Sequence, residues 1–313
     1  MSKVEKCPLC GDTHFDEVDH ISKARLRSLY LKEYNTDIGH LVTEDLSLYQ
    51  CSNCDLKFFD PSFTGDQNFY RDLQKFDWYY KDDKLEYHYA KNFIKKNNSV
   101  LEIGSGKGAF SKLLATKKYM GLEFSEGASE LAAQEGIEVR SQSIEDHAKL
   151  NHEKYDVVCS FQVIEHTSDP KSFMQASVDC LKPGGKLILA VPCEDSFLCY
   201  IQDFALNMPP HHVTKWSLST LKHLESQFGV KVVDIYQEPL NEFHIPWFLT
   251  SMFGYLLNRL LGIKHSLATK PSHWFSHSLA KFLANRFSKY LPKSYQPYGH
   301  TVIVVYEKYA QPK

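Results

Sequence analysis

The rhythm of hydrophobic positions changes near residue 99 of this chain. Before it, from Asp60 to Asn98, large rings recur at mixed helical spacings through FYRDLQKFDWYYKDDKLEYHYAKNFIKK, a stripe that predicts helices packed into a core or a domain interface. After it, short β-branched runs alternate with helical stretches. SVLEI, YMGLEF, IEVR, YDVVCSF and GKLILAV read as strands, separated by the helix candidates AFSKLLATKK, EGASELAAQE and PKSFMQASVDCL. Such alternation predicts an α/β fold with a parallel sheet covered by helices on both faces. A helix from Ser217 to about Phe228, the strand KVVDIY, an apolar helical insertion and the strand TVIVVYE complete the chain, with no internal repeat or low-complexity tract.

Composition narrows the function classes. The 313 residues hold 36 basic and 38 acidic side chains with a pI near 6.7, so no overall field gathers a polyanion and nucleic acid is a disfavoured partner. The opening MSKVEKCPLC lacks the apolar core of a secretory signal, and the few cysteines are clustered rather than spread as a disulfide framework, which predicts a reduced, cytoplasmic protein. The segment IPWFLTSMFGYLLNRLLGI, residues 245–263, is apolar, but it is interrupted by Pro246, Gly254, Asn258 and Arg259. It predicts a buried or interfacial helix able to touch a membrane surface, not a transmembrane span.

Two short cysteine pairs mark the N-terminal section, Cys7-Pro-Leu-Cys10 and Cys51-Ser-Asn-Cys54. Each C-x-x-C followed by a turn-forming residue makes a knuckle that aims two thiolates at one point, and two knuckles complete a tetrahedral zinc site. Four thiolates leave no open position, so such a zinc is structural. The gap between the pairs is longer than in a compact ribbon, which places a helical insertion, SKARLRSLYLKEY, between them.

The strand VLEI runs into Gly104-Ser-Gly106-Lys-Gly108-Ala109, a glycine turn at the carboxyl end of the first strand of the α/β section, where ligands of open sheets bind. Read alone, the loop fits a dinucleotide fingerprint, with Glu123 as the acidic residue for ribose hydroxyls. Three neighbouring features shift the reading: Glu102 inside the strand end, Phe161-Gln-Val-Ile-Glu165-His166 after the fourth strand, and Leu181-Lys-Pro-Gly-Gly185 before the fifth. In this order they resemble the class I S-adenosylmethionine-dependent methyltransferases, in the branch that includes ubiquinone-type O-methyltransferases and sugar methyltransferases.

The resemblance covers roughly residues 99 to 237 plus the last strand, and it implies a Rossmann-like seven-stranded sheet, mostly parallel, whose last hairpin is antiparallel. It implies that Glu102, Gly104, Gly106 and Gly108 cradle the methionine part of S-adenosylmethionine and that Glu123 takes the ribose hydroxyls. Ser143 and Ile144 would lie along the adenine with Phe124 as a second wall, and Gln162 would meet the methionine amino group. The expected organisation is then a zinc-ribbon domain over 1–60, a helical linker or lid over 61–98, and a methyltransferase domain over 99–313 with a helical insertion at about 240–297.

Methyl transfer from a sulfonium needs alignment and exclusion of water, and a base only where the acceptor must lose a proton. Asn207-Met-Pro-Pro-His211-His212-Val-Thr-Lys-Trp-Ser217 offers two adjacent histidines near the carboxyl edge of the sheet, and His166 is the competitor. His212 is the preferred base; a metal site at this pair is disfavoured because no carboxylate lies beside it at ligand spacing. Trp78, Tyr79 and Tyr80 are candidates to stack on an acceptor. A zinc ribbon joined to this catalytic section resembles some sugar C-methyltransferases, so the expected acceptor is a small hydroxylated metabolite, above all a nucleotide-linked or surface-polysaccharide sugar. The alternatives are methylation of RNA with the ribbon as an RNA-binding module, and a non-catalytic scaffold that keeps the fold.

Overall fold

A computed structural model describes residues 4–76, 79, 81–269, 273–290 and 297–310. The N-terminal section contains β1 (Phe15–Ile21), helix α1 (Lys23–Tyr34), β2 (Leu46–Cys51) and β3 (Lys57–Asp60), the three strands pairing antiparallel in that order. Helix α1 is the expected insertion between the cysteine pairs; Ser22 caps its start by accepting from the Arg25 N–H, and Asn35 ends it in the left-handed conformation. The aromatic stretch that follows is not one helix. It breaks into α2 (Gln67–Leu73) and α3 (Leu85–Ala90), each short enough to need tertiary packing for stability.

The second sheet holds β4 (Val100–Ile103), β5 (Tyr119–Leu122), β6 (Val139–Arg140), β7 (Tyr155–Phe161) and β8 (Leu181–Pro192), interleaved with helices α4 (Glu126–Gln134), α5 (Ile144–Ala148) and α6 (Pro170–Asp179). The segment AFSKLLATKK departs from the sequence reading, forming only a 3-10 turn over Phe110–Leu113 in place of an α-helix. Leu114 turns extended at once, and the Thr116 hydroxyl is drawn to the Asn98 carbonyl at 2.6 Å, which commits the chain to its return toward β5. Leu181-Lys-Pro-Gly-Gly185 lies inside β8, where Tyr155 faces Leu181 but Val157 faces Lys186, so these residues bulge out of register.

A two-residue strand, β9 (Thr214–Lys215), precedes helix α7 (Leu218–Phe228), β10 (Val230–Pro239), helices α8 (Ile245–Leu260) and α9 (Trp274–Phe287), and β11 (Tyr298–Lys308). The seven-stranded sheet has the order β10-β11-β8-β7-β4-β5-β6, with β11 antiparallel to both neighbours and the other pairs parallel, the arrangement expected from the sequence. The insertion between β10 and β11 holds α8 and α9, as a stretch of that length should.

The small strand β9 does not join this sheet. It pairs with β3, Phe58 facing Thr214 and Lys57 facing Lys215, and so completes a four-stranded sheet on the N-terminal section. One hydrophobic cluster runs from Leu9, Tyr49 and Leu56 through Trp216 and Leu221 to Leu101, Val158 and Leu187 of the large sheet. A second joins Leu26, Leu29 and Tyr30 of α1 to Phe69, Leu206 and Met208. The N-terminal section and the α/β section therefore share their cores.

Candidate functional site

The sheet geometry opens a cavity of about 1950 Å³ beyond the carboxyl ends of β4, β5 and β7, larger than the roughly 300 to 1,000 Å³ of an ordinary ligand pocket. One end is built by the glycine loop. Gly104, Gly106 and Gly108 all have positive φ, which an L side chain rarely adopts, and a Cβ on Gly104 would stand 2.4 Å from a Val163 methyl. Glu123, just past β5, accepts a hydrogen bond from the Gly106 N–H at 2.8 Å and another from the Ser125 N–H at 2.8 Å, so its carboxylate is fixed at the lip of the loop. Phe124, 61% exposed, and Ile144, buried at the start of α5, line the cavity beyond it. Ser143 lines it too, while its hydroxyl caps α5 by accepting from the Asp146 N–H at 3.0 Å.

Glu102 departs from its expected direct role. It is fully buried below the loop, outside the lining of the cavity, where the Tyr119 hydroxyl donates to its carboxyl; burial pushes its pKa up to about 8. Alternation along β4 turns the side chain of Glu102 into the core, where its partner is the Tyr119 hydroxyl. Gln162 lines the cavity in a left-handed backbone conformation, unusual for a residue with a Cβ, its N–H held by the Ala190 carbonyl at 2.8 Å.

The other end is walled by three imidazoles. His166, closing the 3-10 turn Ile164–His166, meets His211 and His212 with ring centroids 4.5 and 5.0 Å away, and the two adjacent histidines stack at 4.6 Å. Every Nδ1 is tied to an oxygen: His166 to the His211 carbonyl at 2.6 Å, His211 to the Leu206 carbonyl at 3.0 Å, and His212 to Asn207 Oδ1 at 3.1 Å. These oxygens accept, so each Nδ1 carries the proton and each Nε2 presents a lone pair. Desolvation lowers all three pKa values, that of His166 to about 4, so the cluster is neutral at physiological pH.

Although their nitrogens lie within 4.8 Å of one another, the rings of His211 and His212 are only 21° from parallel. Each Nδ1 is committed to an oxygen, so only the three Nε2 atoms could meet a ligand. The arrangement suits proton acceptance better than coordination. His211 faces the rings of Phe69, Tyr70 and Tyr79 at 6.2 to 6.4 Å, whereas His212 has the polar neighbours Asn207, His166, His300 and Lys215. Tyr79 thus belongs to the wall behind His211, and Trp78 and Tyr80 lie outside the described residues.

The sequence reading missed Glu86, Glu238 and His300, which also line the cavity. Glu86 is buried in α3, and His300 Nδ1 stands 3.4 Å from Glu238 Oε1, which in turn accepts from the Thr301 N–H at 3.1 Å. A signal for the last pair did exist. In an antiparallel terminal hairpin the end of β10 and the start of β11 return to the same carboxyl edge as the parallel strands.

The cysteines converge away from the cavity. Cys7 Sγ lies 3.6 Å from Cys54 Sγ and Cys10 Sγ 3.5 Å from Cys51 Sγ, all four within 4.8 Å, too far for disulfides and close to the about 3.8 Å separation of thiolates around a tetrahedral zinc. Gly11 and Asp55 take positive φ as the knuckles turn, and their N–H groups donate back to the Cys7 and Cys51 carbonyls.

The histidine loop is braced by this N-terminal section. The buried Tyr30 hydroxyl bonds the Ala205 and Met208 carbonyls at 2.9 and 3.0 Å, and Met208 in turn accepts from the His211 and His212 N–H groups. On the far side of the histidines the Val213 N–H donates to the Glu165 carbonyl at 2.9 Å, while its carbonyl accepts from Phe59 of β3. Ser217, capping α7, donates to Asp55 beside the second cysteine knuckle at 2.5 Å, and Lys57 and the buried Lys215 both approach Glu194.

Comparison with known proteins adds a family. Residues 73–235 match the model of a methyltransferase domain. Among curated relatives, a ubiquinone biosynthesis O-methyltransferase of Hydrogenovibrio crunogenus is 30% identical over 115 residues, 34% of this chain and 48% of that protein. A protein of the same description from Salmonella newport is 33% identical over 99 residues, 29% of this chain and 41% of its own length. The chain thus spans about half the length or less of these relatives. Among solved structures, a S-adenosylmethionine-dependent methyltransferase from Archaeoglobus fulgidus aligns over 78% of this chain and all of its own at 15% identity, with a TM-score of 0.48.

Proposed function

The chain belongs to the methyltransferase-domain family, and from that premise we propose that it moves a methyl group from S-adenosylmethionine to a hydroxyl-bearing small molecule, a sugar, at the imidazole end of the cavity. The observation that carries the acceptor reading is the lining of that end: three neutral imidazoles with free Nε2 lone pairs, faced by Glu86, Glu238 and His300. Such a surface offers hydrogen-bond acceptors to a polyol, and the rings of Tyr70, Tyr79, Phe204 and Trp247 in the same lining give a sugar's apolar face a surface to rest on.

Bound S-adenosylmethionine supplies a methyl group already activated on sulfur. The residues suited to hold it are the backbone of Gly104 to Gly108, the Glu123 carboxylate for two hydroxyls, Ser143, Ile144 and Phe124 along a flat base, and Gln162 for the amino group. His212 receives the proton of the acceptor hydroxyl on Nε2, while Asn207 holds its Nδ1–H and fixes the tautomer. His166 and His211 keep the acceptor end dry and poised. The four cysteines bind a structural zinc, with no free position for chemistry.

Label transfer from methyl-tritiated S-adenosylmethionine into nucleotide sugars, compared with transfer into undermodified ribosomal RNA and a polyprenyl catechol, tests this reading. Label is expected in the sugar pool, falling about a hundredfold or more in His212→Ala. The variant should bind S-adenosylhomocysteine as the unaltered protein does. Label only in RNA or only in the catechol would overturn the acceptor, and full activity in His212→Ala would overturn the base.

A further inference from the structure

Among its described residues, the insertion between β10 and β11 touches the cavity through its first segment, Leu240 to Trp247, where Glu242, Phe243, His244 and Trp247 line the opening. Its composition is unlike the rest of the chain. From Phe243 to Tyr306 there is no acidic residue and there are seven basic ones, in a protein of 36 basic and 38 acidic side chains. Helices α8 and α9 pack through small groups, with the Gly254 position 3.8 Å from the Ala280 methyl and with Ser276, Ala280 and Ala284 buried.

Large apolar side chains remain outside that contact. Leu260 is 82% exposed, Phe282 67%, Phe275 61% and Leu261 55%. Phe275 and Phe282 are two turns apart and share one face of α9. The same insertion exposes the cations Arg259, Lys264, Lys281 and Arg286, and its one acidic residue, Glu242, lies before α8 at the cavity mouth.

We propose that the α8–α9 pair docks the protein onto an anionic bilayer surface, its exposed rings and leucines entering the headgroup boundary and its cations facing lipid phosphates. Charge selects this occupant. A second copy of the same face would bring Arg259, Lys264, Lys281 and Arg286 against the same four cations, whereas an anionic lipid layer supplies counter-charge together with an apolar interior. No helix among the described residues is long and apolar enough to cross a membrane, so the contact is peripheral. The proposal is independent of which acceptor is methylated.

Co-sedimentation of the full chain with phosphatidylcholine vesicles, and with vesicles also containing phosphatidylglycerol, tests it at low and high salt. Binding is expected to the anionic vesicles and to be released by salt. Phe275→Ser/Phe282→Ser should weaken partitioning about tenfold or more, since each ring loses its burial in the layer. Lys281→Glu/Arg286→Glu should abolish the preference for anionic lipid. Circular dichroism and S-adenosylhomocysteine binding report whether each variant is folded. Recovery of the folded wild-type protein in the supernatant with both vesicle types overturns the proposal. So does equal binding by the folded variants, or a dimer that the phenylalanine substitutions convert to monomer.

Discussion

Glu165 is a carboxylic acid, not a carboxylate, at neutral pH. It is fully buried, neither of its oxygens has a hydrogen-bond partner among the described residues, and desolvation lifts its pKa from 4.5 to about 8. A folded-state pKa above the unfolded one stabilises the protein fully below pH 4.5, and that stability drains away as pH rises toward 8, at about 1.4 kcal/mol per unit. Glu165→Gln keeps the shape and cannot ionise. Urea unfolding from pH 5 to 8 should therefore show a shallower alkaline decline in the variant, and identical slopes would mean that Glu165 is charged in place. At this scale the sequence was informative where chemistry sits in contiguous motifs: Glu123, Gly104 and Gly106 lie at the cavity, while Gly108 turns against Ile137 outside its lining, and the adjacent histidines meet His166. It was uninformative for Glu86, whose neighbours in sequence are those of an ordinary helix, whereas the place of Glu238 follows only once the terminal hairpin is drawn.

Among the elements, α1 has an effect out of proportion to its length, because Tyr30 reaches the two carbonyls from which the histidine loop hangs. Tyr30→Phe preserves the ring's contacts with Phe69 and removes only that bond. A loss of about 1 kcal/mol in unfolding free energy is expected, with weaker acceptor binding and unchanged S-adenosylhomocysteine affinity. Calorimetric titration of both ligands separates a local effect on the loop from general loosening, which would weaken the two alike. The strands were legible because β-branched runs and alternation report burial directly, and the antiparallel terminal hairpin came from the family resemblance. The segment after the glycine loop was misread as an α-helix. Its helix-forming residues do favour one, but hydrogen bonds at Thr116 and the early turn of Leu114 override a weak local preference.

For the molecule as a whole, zinc and catalysis should be linked although the cysteines and the cavity are separate. Replacing Cys10 and Cys54 by Ser, or stripping metal with a chelator, should loosen β3, then β9 beside it, and lower methyl transfer by about tenfold or more while elemental analysis shows the loss of one zinc. A metal-free but fully active protein would break this link. No local pattern revealed it, since the pairing of Phe58 with Thr214 joins two stretches far apart in sequence and β9 is only two residues long. The same pairing sets an order of events during synthesis. The four cysteines have left the ribosome once residue 54 is out, yet the outer edge of β3 stays open until Lys215 follows. For that interval the nascent chain carries a completed four-cysteine cluster with an exposed strand edge, a surface on which a chaperone, or another unfinished chain, can act.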